Sequence, residues 1–324
     1  MAAADSKKKR KKKKKKSGGT PFRESPFFKL VWIVPIALVV LAIAGVLARM
    51  FLGSASGQEF LAKYPGHSEL PAGTPEGFPW WAQWQHFFNI FLMVLIIRSG
   101  WLVRVQQKPD AYWTRTVKKR KKGAAEPTKM SIYLWLHLSL DVLWLLNGFI
   151  FVILLFASGH WARVVPVSWD IFPNMISAGL QYLSFDWPQE MAWVNYNALQ
   201  VMAYFVTIFI AAPLAAISGV RMSPIWQNTW PISKAYPAPV ARAIHLPVMF
   251  YFVAFIFIHV LLVFTTGMRH NLNMMFSWTG DNATSWWGFI MFAIAMIVVA
   301  AGWIAARPMF MQAIAGITGK VTTR

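Results

Sequence analysis

IHLPVMFYFVAFIFIHV, residues 244–260, is an apolar run with a histidine near each end, His245 and His259. It contains no Asp, Glu, Lys or Arg, and with its flanks (243–266) it is long enough to cross a hydrocarbon core, which takes about 20 residues of helix. Five further runs of this kind lie at about 29–51, 82–103, 131–157, 196–218 and 285–305. The 324 residues are 56% hydrophobic and 14% charged, with mean hydropathy +0.43, too apolar for a soluble domain of that size. The runs lack the period-two alternation of outer-membrane strands. The fold class is therefore an all-α membrane protein with six transmembrane helices.

The basic residues orient the chain. If the N-terminus is inside, 28 of the 32 Lys and Arg fall on the inner side, leaving only Arg49, Lys63, Arg163 and Arg269 outside. Both termini are then expected in the cytoplasm. The run KKKRKKKKKK (7–16) has no aromatic interleaving and adjoins a span, so residues 1–27 read as a disordered cytoplasmic arm near anionic lipid, with no nucleic-acid role. The first span is about twice the length of a signal-peptide core, and 28–52 is expected to be a retained additional helix. Trp residues gather near span ends, as in PWWAQW (79–84) and SWWGF (285–289), which suits interfacial belts.

No cysteine is present among the 324 residues, so cysteine-ligated iron–sulfur clusters, disulfides and covalently attached c-type haem are excluded. Of seven histidines, His67, His160 and His270 fall in expected outer loops, where solvation accounts for them. The other four lie within spans: His86 near the start of the second, His137 near the start of the third, and His245 and His259 in the fifth. A separation of 14 residues is nearly four helical turns, placing His245 and His259 within about 40° of one face and about 21 Å apart along the axis. The alternating direction of the spans then sets depth. His86 and His259 share the outer leaflet, and His137 and His245 the inner.

Two histidines side by side on facing helices are the natural axial pair of a b-type haem in a helical bundle. Two such pairs at two depths predict two haems stacked across the membrane, in a four-helix core made by the second to fifth spans. The competing reading is a transporter or proton relay in which the same histidines work without haem. Such proteins more often show internal repeats and broken helices, and neither is visible in this sequence.

Several motifs, in order, resemble the di-haem cytochrome b561 family of bacterial membrane subunits that serve Ni-hydrogenases, formate dehydrogenases and thiosulfate reductases. They are HFFN with IIRSG (86–100), AYW (111–113), LLNG (145–148), YNALQ (196–200), SGVRMSP (218–224) and ARAIH…HVLLVFTTG (241–267). The resemblance covers about residues 80–267 and implies a di-haem cytochrome b core over that range. The outer loop, last helix and short cytoplasmic tail at 268–324 are then additions. It also implies two haem b, with His86, His137, His245 and His259 as the iron ligands. A quinone (menaquinone or ubiquinone) is the implied redox partner, met by Asn197 and Gln200. A molybdopterin-containing catalytic subunit and a place in the bacterial inner membrane are implied as well. On this resemblance the chain is an electron-transfer subunit, with no catalytic residues of its own. Asn197 is equally suited to capping the fourth helix.

Two more intramembrane polar residues stand out. Arg98, about 18 Å along the helix from His86, is level with the inner pair and suits a haem propionate, or snorkels to the inner surface. Asp141, one turn after His137, suits a role behind the histidine, a proton relay, or a pairing with Arg98.

Overall fold

The computed structural model describes residues 26–116, 127, 129–187 and 192–323. The lysine run at 7–16, nearly all of the expected arm 1–27, and the basic centre of the inner loop lie outside the described residues. In chain order the main elements are α1 (Leu30–Leu52), α2 (Ala55–Lys63), α3 (Trp80–Val105), β1 (Ala111–Arg115), β2 (Lys129–Ser131), α4 (Ile132–Ala157) and α5 (Ile171–Leu183). There follow α6 (Ala198–Met222), α7 (Ala238–Thr265), α8 (Met268–Phe276), α9 (Trp287–Ala305), α10 (Pro308–Thr318) and β3 (Gly319–Thr323). Among the described residues, six helices are long and apolar enough to span a membrane: α1, α3, α4, α6, α7 and α9. They are the six runs read from hydropathy.

The boundaries differ where local chemistry outweighs hydropathy. α7 starts at Ala238, before its apolar run, because Pro237 caps it and Pro239 stands in its first turn, where a missing N–H costs nothing. Pro247, which the sequence places near a helix start, is consequently inside α7. In α6, Thr207–Ala211 forms a π-helical turn just ahead of Pro213. A proline cannot bond back to the previous turn, and the wider turn relieves the clash it would make there.

The spans pair as two hairpins, α3 with α4 and α6 with α7, and close backbone approaches are concentrated within each. Trp144 Nε1 donates to Asn89 Oδ1 (3.1 Å), joining α4 to α3, and Thr207 Oγ1 shares a hydrogen bond with Tyr251 OH (2.8 Å), joining α6 to α7. Between the hairpins large side chains bridge the gap, with Trp144 and Phe252 edge to face at 6.3 Å. Lipid offers no hydrophobic drive to bring helices together, so such hydrogen bonds and shape matching carry the association. α9 packs on α3, while α1 exposes most of its Ile, Val and Leu and touches the rest mainly through α5.

Two features are absent from the hydropathy pattern. At the end of the bundle that the charge bias assigns to the inside, called inner from here on, a three-stranded sheet in the order β2-β1-β3 ties the loop between α3 and α4 to the last strand, both pairings antiparallel. Ala111, Ile132, Tyr133, Met311 and Ala315 form a buried cluster beneath it. What reads as a short tail is thus a docked helix and strand. At the outer end, α8 turns into α9 around the fully buried Asn273, whose Nδ2 donates to the carbonyls of Asn282 (2.6 Å) and Ser285 (2.7 Å) and whose Oδ1 accepts Gly288 N–H (2.7 Å).

With each buried hydrogen bond contributing about 1 kcal/mol net, Asn273→Ala is expected to cost about 3 kcal/mol. The check is the thermal midpoint of the protein in detergent. An unchanged midpoint would show that the corner does not depend on this amide.

Candidate functional site

The four intramembrane histidines meet in the two expected pairs. His86 on α3 faces His259 on α7, with ring centroids 6.1 Å apart and planes at 67°. His137 on α4 faces His245 on α7, at 6.3 Å and 87°. α7 thus gives one imidazole to each level, as the 14-residue spacing requires.

The two levels are built differently. At the inner one, Ser99 Oγ lies 3.0 Å from His137 Nδ1, and Ser218 Oγ 2.9 Å from His245 Nδ1. Each serine spends its own proton on a carbonyl of the preceding turn, Ser99 on Ile96 O (3.0 Å) and Ser218 on Leu214 O (2.5 Å). With its proton on that carbonyl, each serine oxygen is free to accept an Nδ1–H, and the tautomer that donates it leaves Nε2 with a lone pair. The residue after each serine is glycine. A Cβ on Gly100 would stand 3.0 Å from His137 Cε1, and one on Gly219 3.5 Å from His245 Cε1, so the rings lie close against the backbone.

At the outer level, Phe255 stacks on His259 (5.8 Å, 5°) and the edge of Phe276 meets His86 (5.5 Å, 75°). His86 Nδ1 is buried with no hydrogen-bond partner.

The arrangement fits a metal that brings its own planar ligands. Bonds of about 2 Å from one metal to two imidazole nitrogens hold the ring centroids about 6 Å apart, which is the spacing of both pairs. Among the described residues no three or more His, Asp or Glu gather as a metal site. Two protein ligands are too few for a bare zinc ion and are what a haem iron takes, its other four ligands coming from the macrocycle.

The other expected residues are placed as follows. Asp141 Oδ2 is 3.8 Å from His137 Nε2, at the inner pair. Arg98 turns to α9 instead, where Nη1 donates to Trp303 O (2.5 Å) and the guanidinium lies 4.4 Å over the Trp303 ring. Asn197 and Gln200 form a capping box at the start of α6: Asn197 Oδ1 accepts Gln200 N–H (2.9 Å), Gln200 Oε1 accepts Asn197 N–H (3.1 Å), and Asn197 Nδ2 donates to Tyr182 OH (3.0 Å). The capping role open to Asn197 is the one its carbonyl performs.

Sequence reasoning passed over several residues. Ser99 and Ser218 carry a signal, the dipeptide Ser-Gly on each of two spans, which becomes meaningful only when both meet a histidine. Arg163, counted from the sequence only as an outer-side basic residue, is 2% exposed; it donates to the carbonyls of Gly77 and Ala192 and lies 4.7 Å from the Tyr196 ring. Of the three loop histidines only His67 is exposed. His160 packs edge-on against Trp81 at 5.8 Å, and burial, with Arg163 nearby, lowers its pKa below the usual histidine value.

A helical membrane bundle with paired histidines at two depths defines the class: a membrane cytochrome of b type. Over residues 77–278 the chain matches the prokaryotic cytochrome b561 family, and it belongs to that family. Searches of curated proteins and of solved structures found no match. Membership makes the chain a b-type cytochrome that acts in electron transfer with haem b as its cofactor, and decides against the transporter reading.

Replacing Asn197 with Ala removes a helix cap worth about 1 kcal/mol. The expected result is a lower thermal midpoint with haem per chain unchanged. A loss of quinone reactivity at an unchanged midpoint would instead favour direct contact between Asn197 and a quinone.

Proposed function

We propose that the chain binds two haem b, one between His86 and His259 and one between His137 and His245, and relays electrons between the quinone pool and a partner oxidoreductase of molybdopterin type. The observation that carries this reading is the sharing of α7: one helix supplies an imidazole to each of two ring pairs, both at the spacing an iron between them requires. When bound, the haems supply reversible one-electron chemistry.

The chain's own residues do the rest. The histidines present Nε2 lone pairs to the two sites, and the serines and glycines of the inner level fix ring orientation. Trp144 lies seven residues beyond His137, and Phe252 seven beyond His245 and seven before His259. Their edge-to-face contact at 6.3 Å puts aromatic surface midway between the levels. The charge bias supports a cytoplasmic position for the inner pair and both termini, in the bacterial inner membrane. A quinone carbonyl is an acceptor, so an amide N–H of Asn197 or Gln200 would meet it; Asn197 Nδ2 already donates to Tyr182 OH (3.0 Å), which would share that amide.

The reading predicts that His245→Ala removes the inner haem alone and His259→Ala the outer alone, each halving haem per chain. The check is a reduced-minus-oxidised spectrum with haem quantified as its pyridine adduct. Two haems retained in either variant would refute the ligand assignment.

A further inference from the structure

The two levels differ in what stands behind the ligating rings, and for a haem that difference is electronic. We infer that Ser99 and Ser218 are positioning residues that hold His137 and His245 as hydrogen-bonded ligands, and that they make the inner haem the lower-potential centre of the two. This inference rests on the two-haem reading above.

Three observations point the same way. First, both inner rings hold Nδ1 at hydrogen-bond distance from a serine oxygen, 3.0 and 2.9 Å, and with Nε2 turned to an iron it is Nδ1 that carries the proton and donates it. The serines are fully buried and cannot turn away, because each hydroxyl proton is already committed to a carbonyl of its own helix. Donation from Nδ1 raises the basicity of Nε2, and a more basic ligand favours the ferric iron. Second, the sole carboxyl group within the six spans, Asp141, stands at this level, with Oδ2 3.8 Å from His137 Nε2. Its oxygens add negative potential beside the more positive, oxidised state. Third, among the described residues the outer rings show neither feature. Among the described residues His86 Nδ1 finds no partner, and Phe255 and Phe276 line the pair with aromatic surface. An apolar setting without donation favours the ferrous state, which carries less charge.

The cradle is the same on both helices. Ser-Gly on α3 receives the ring from α4, and Ser-Gly on α6 receives the ring from α7. In each, serine orients the ring by its nitrogen, and glycine leaves room for the ring to reach it. Each iron takes up one electron on reduction. A molecule holding a single electron therefore keeps it at the outer site at equilibrium.

The test is a spectroelectrochemical titration of the purified protein with electron paramagnetic resonance of the oxidised form. The wild type is expected to titrate in two steps, the lower of which survives in His259→Ala and the higher in His245→Ala. Ser218→Ala and Ser99→Ala are each expected to move the lower step upward by about tenfold in its reduction equilibrium, about 59 mV for one electron, without moving the higher step. They should also shift only the inner haem's resonance, and Ser218→Thr, which keeps a hydroxyl, should leave both steps in place. Loss of only the inner haem from Ser218→Ala would support the holding role, with Ser99→Ala then reading the potential. Both Ser→Ala variants with two haems and an unmoved lower step would overturn the inference, as would a lower step that survives in His245→Ala. A wild-type protein without haem would overturn the underlying reading as well.

Discussion

A polar ring inside hydrocarbon has to be paired by the protein itself, and α7 carries two of them, nearly four turns apart on one face. The rest of the bundle answers that demand. α3 and α4 each bring a histidine to the depth of one of the rings on α7, and α6 brings the serine that receives His245. The facing imidazoles then stand with their centroids 6.1 and 6.3 Å apart. A metal with its own planar ligands matches that spacing, and family membership independently calls for haem b.

The solution is not symmetric. At the inner level the unsatisfied nitrogen of each ring is met by a hydroxyl, and glycine lets the ring sit against the neighbouring helix. At the outer level a phenylalanine packs on each ring, and among the described residues His86 Nδ1 has no partner. Between the levels Trp144 and Phe252 meet edge to face. Polarity therefore falls from the inner level to the outer along a single helix. Two chemically identical cofactors held there would not be equivalent, because the protein around a haem sets its potential.

Most of the candidate site was legible in the residues. Histidines in apolar runs are costly and so informative, and the 28-to-4 division of basic residues assigns each a depth. Arg98 was harder to read: its level on α3 follows from counting, but its rotation toward Trp303 depends on where α9 packs. Asn197 was open between two roles, and the capping box at α6 engages its carbonyl. The inner sheet escaped because β1 finds its longer partner, β3, some two hundred residues away. Arg163 escaped because a loop arginine is ordinarily solvated, whereas this one is enclosed by backbone carbonyls and aromatic rings from two segments, 77–78 and 192–196.

The sequence by itself determined the six spans, the expected orientation and the pairing of the four histidines. Those follow from length, hydropathy and helical period, which are local properties. Only the tertiary structure decided what lies behind each ring, where Arg98 and Asn197 spend their polar groups, and how the chain's end docks on the inner loop. Such contacts join residues far apart in the chain, and their existence depends on helix rotation and packing, which no local pattern encodes.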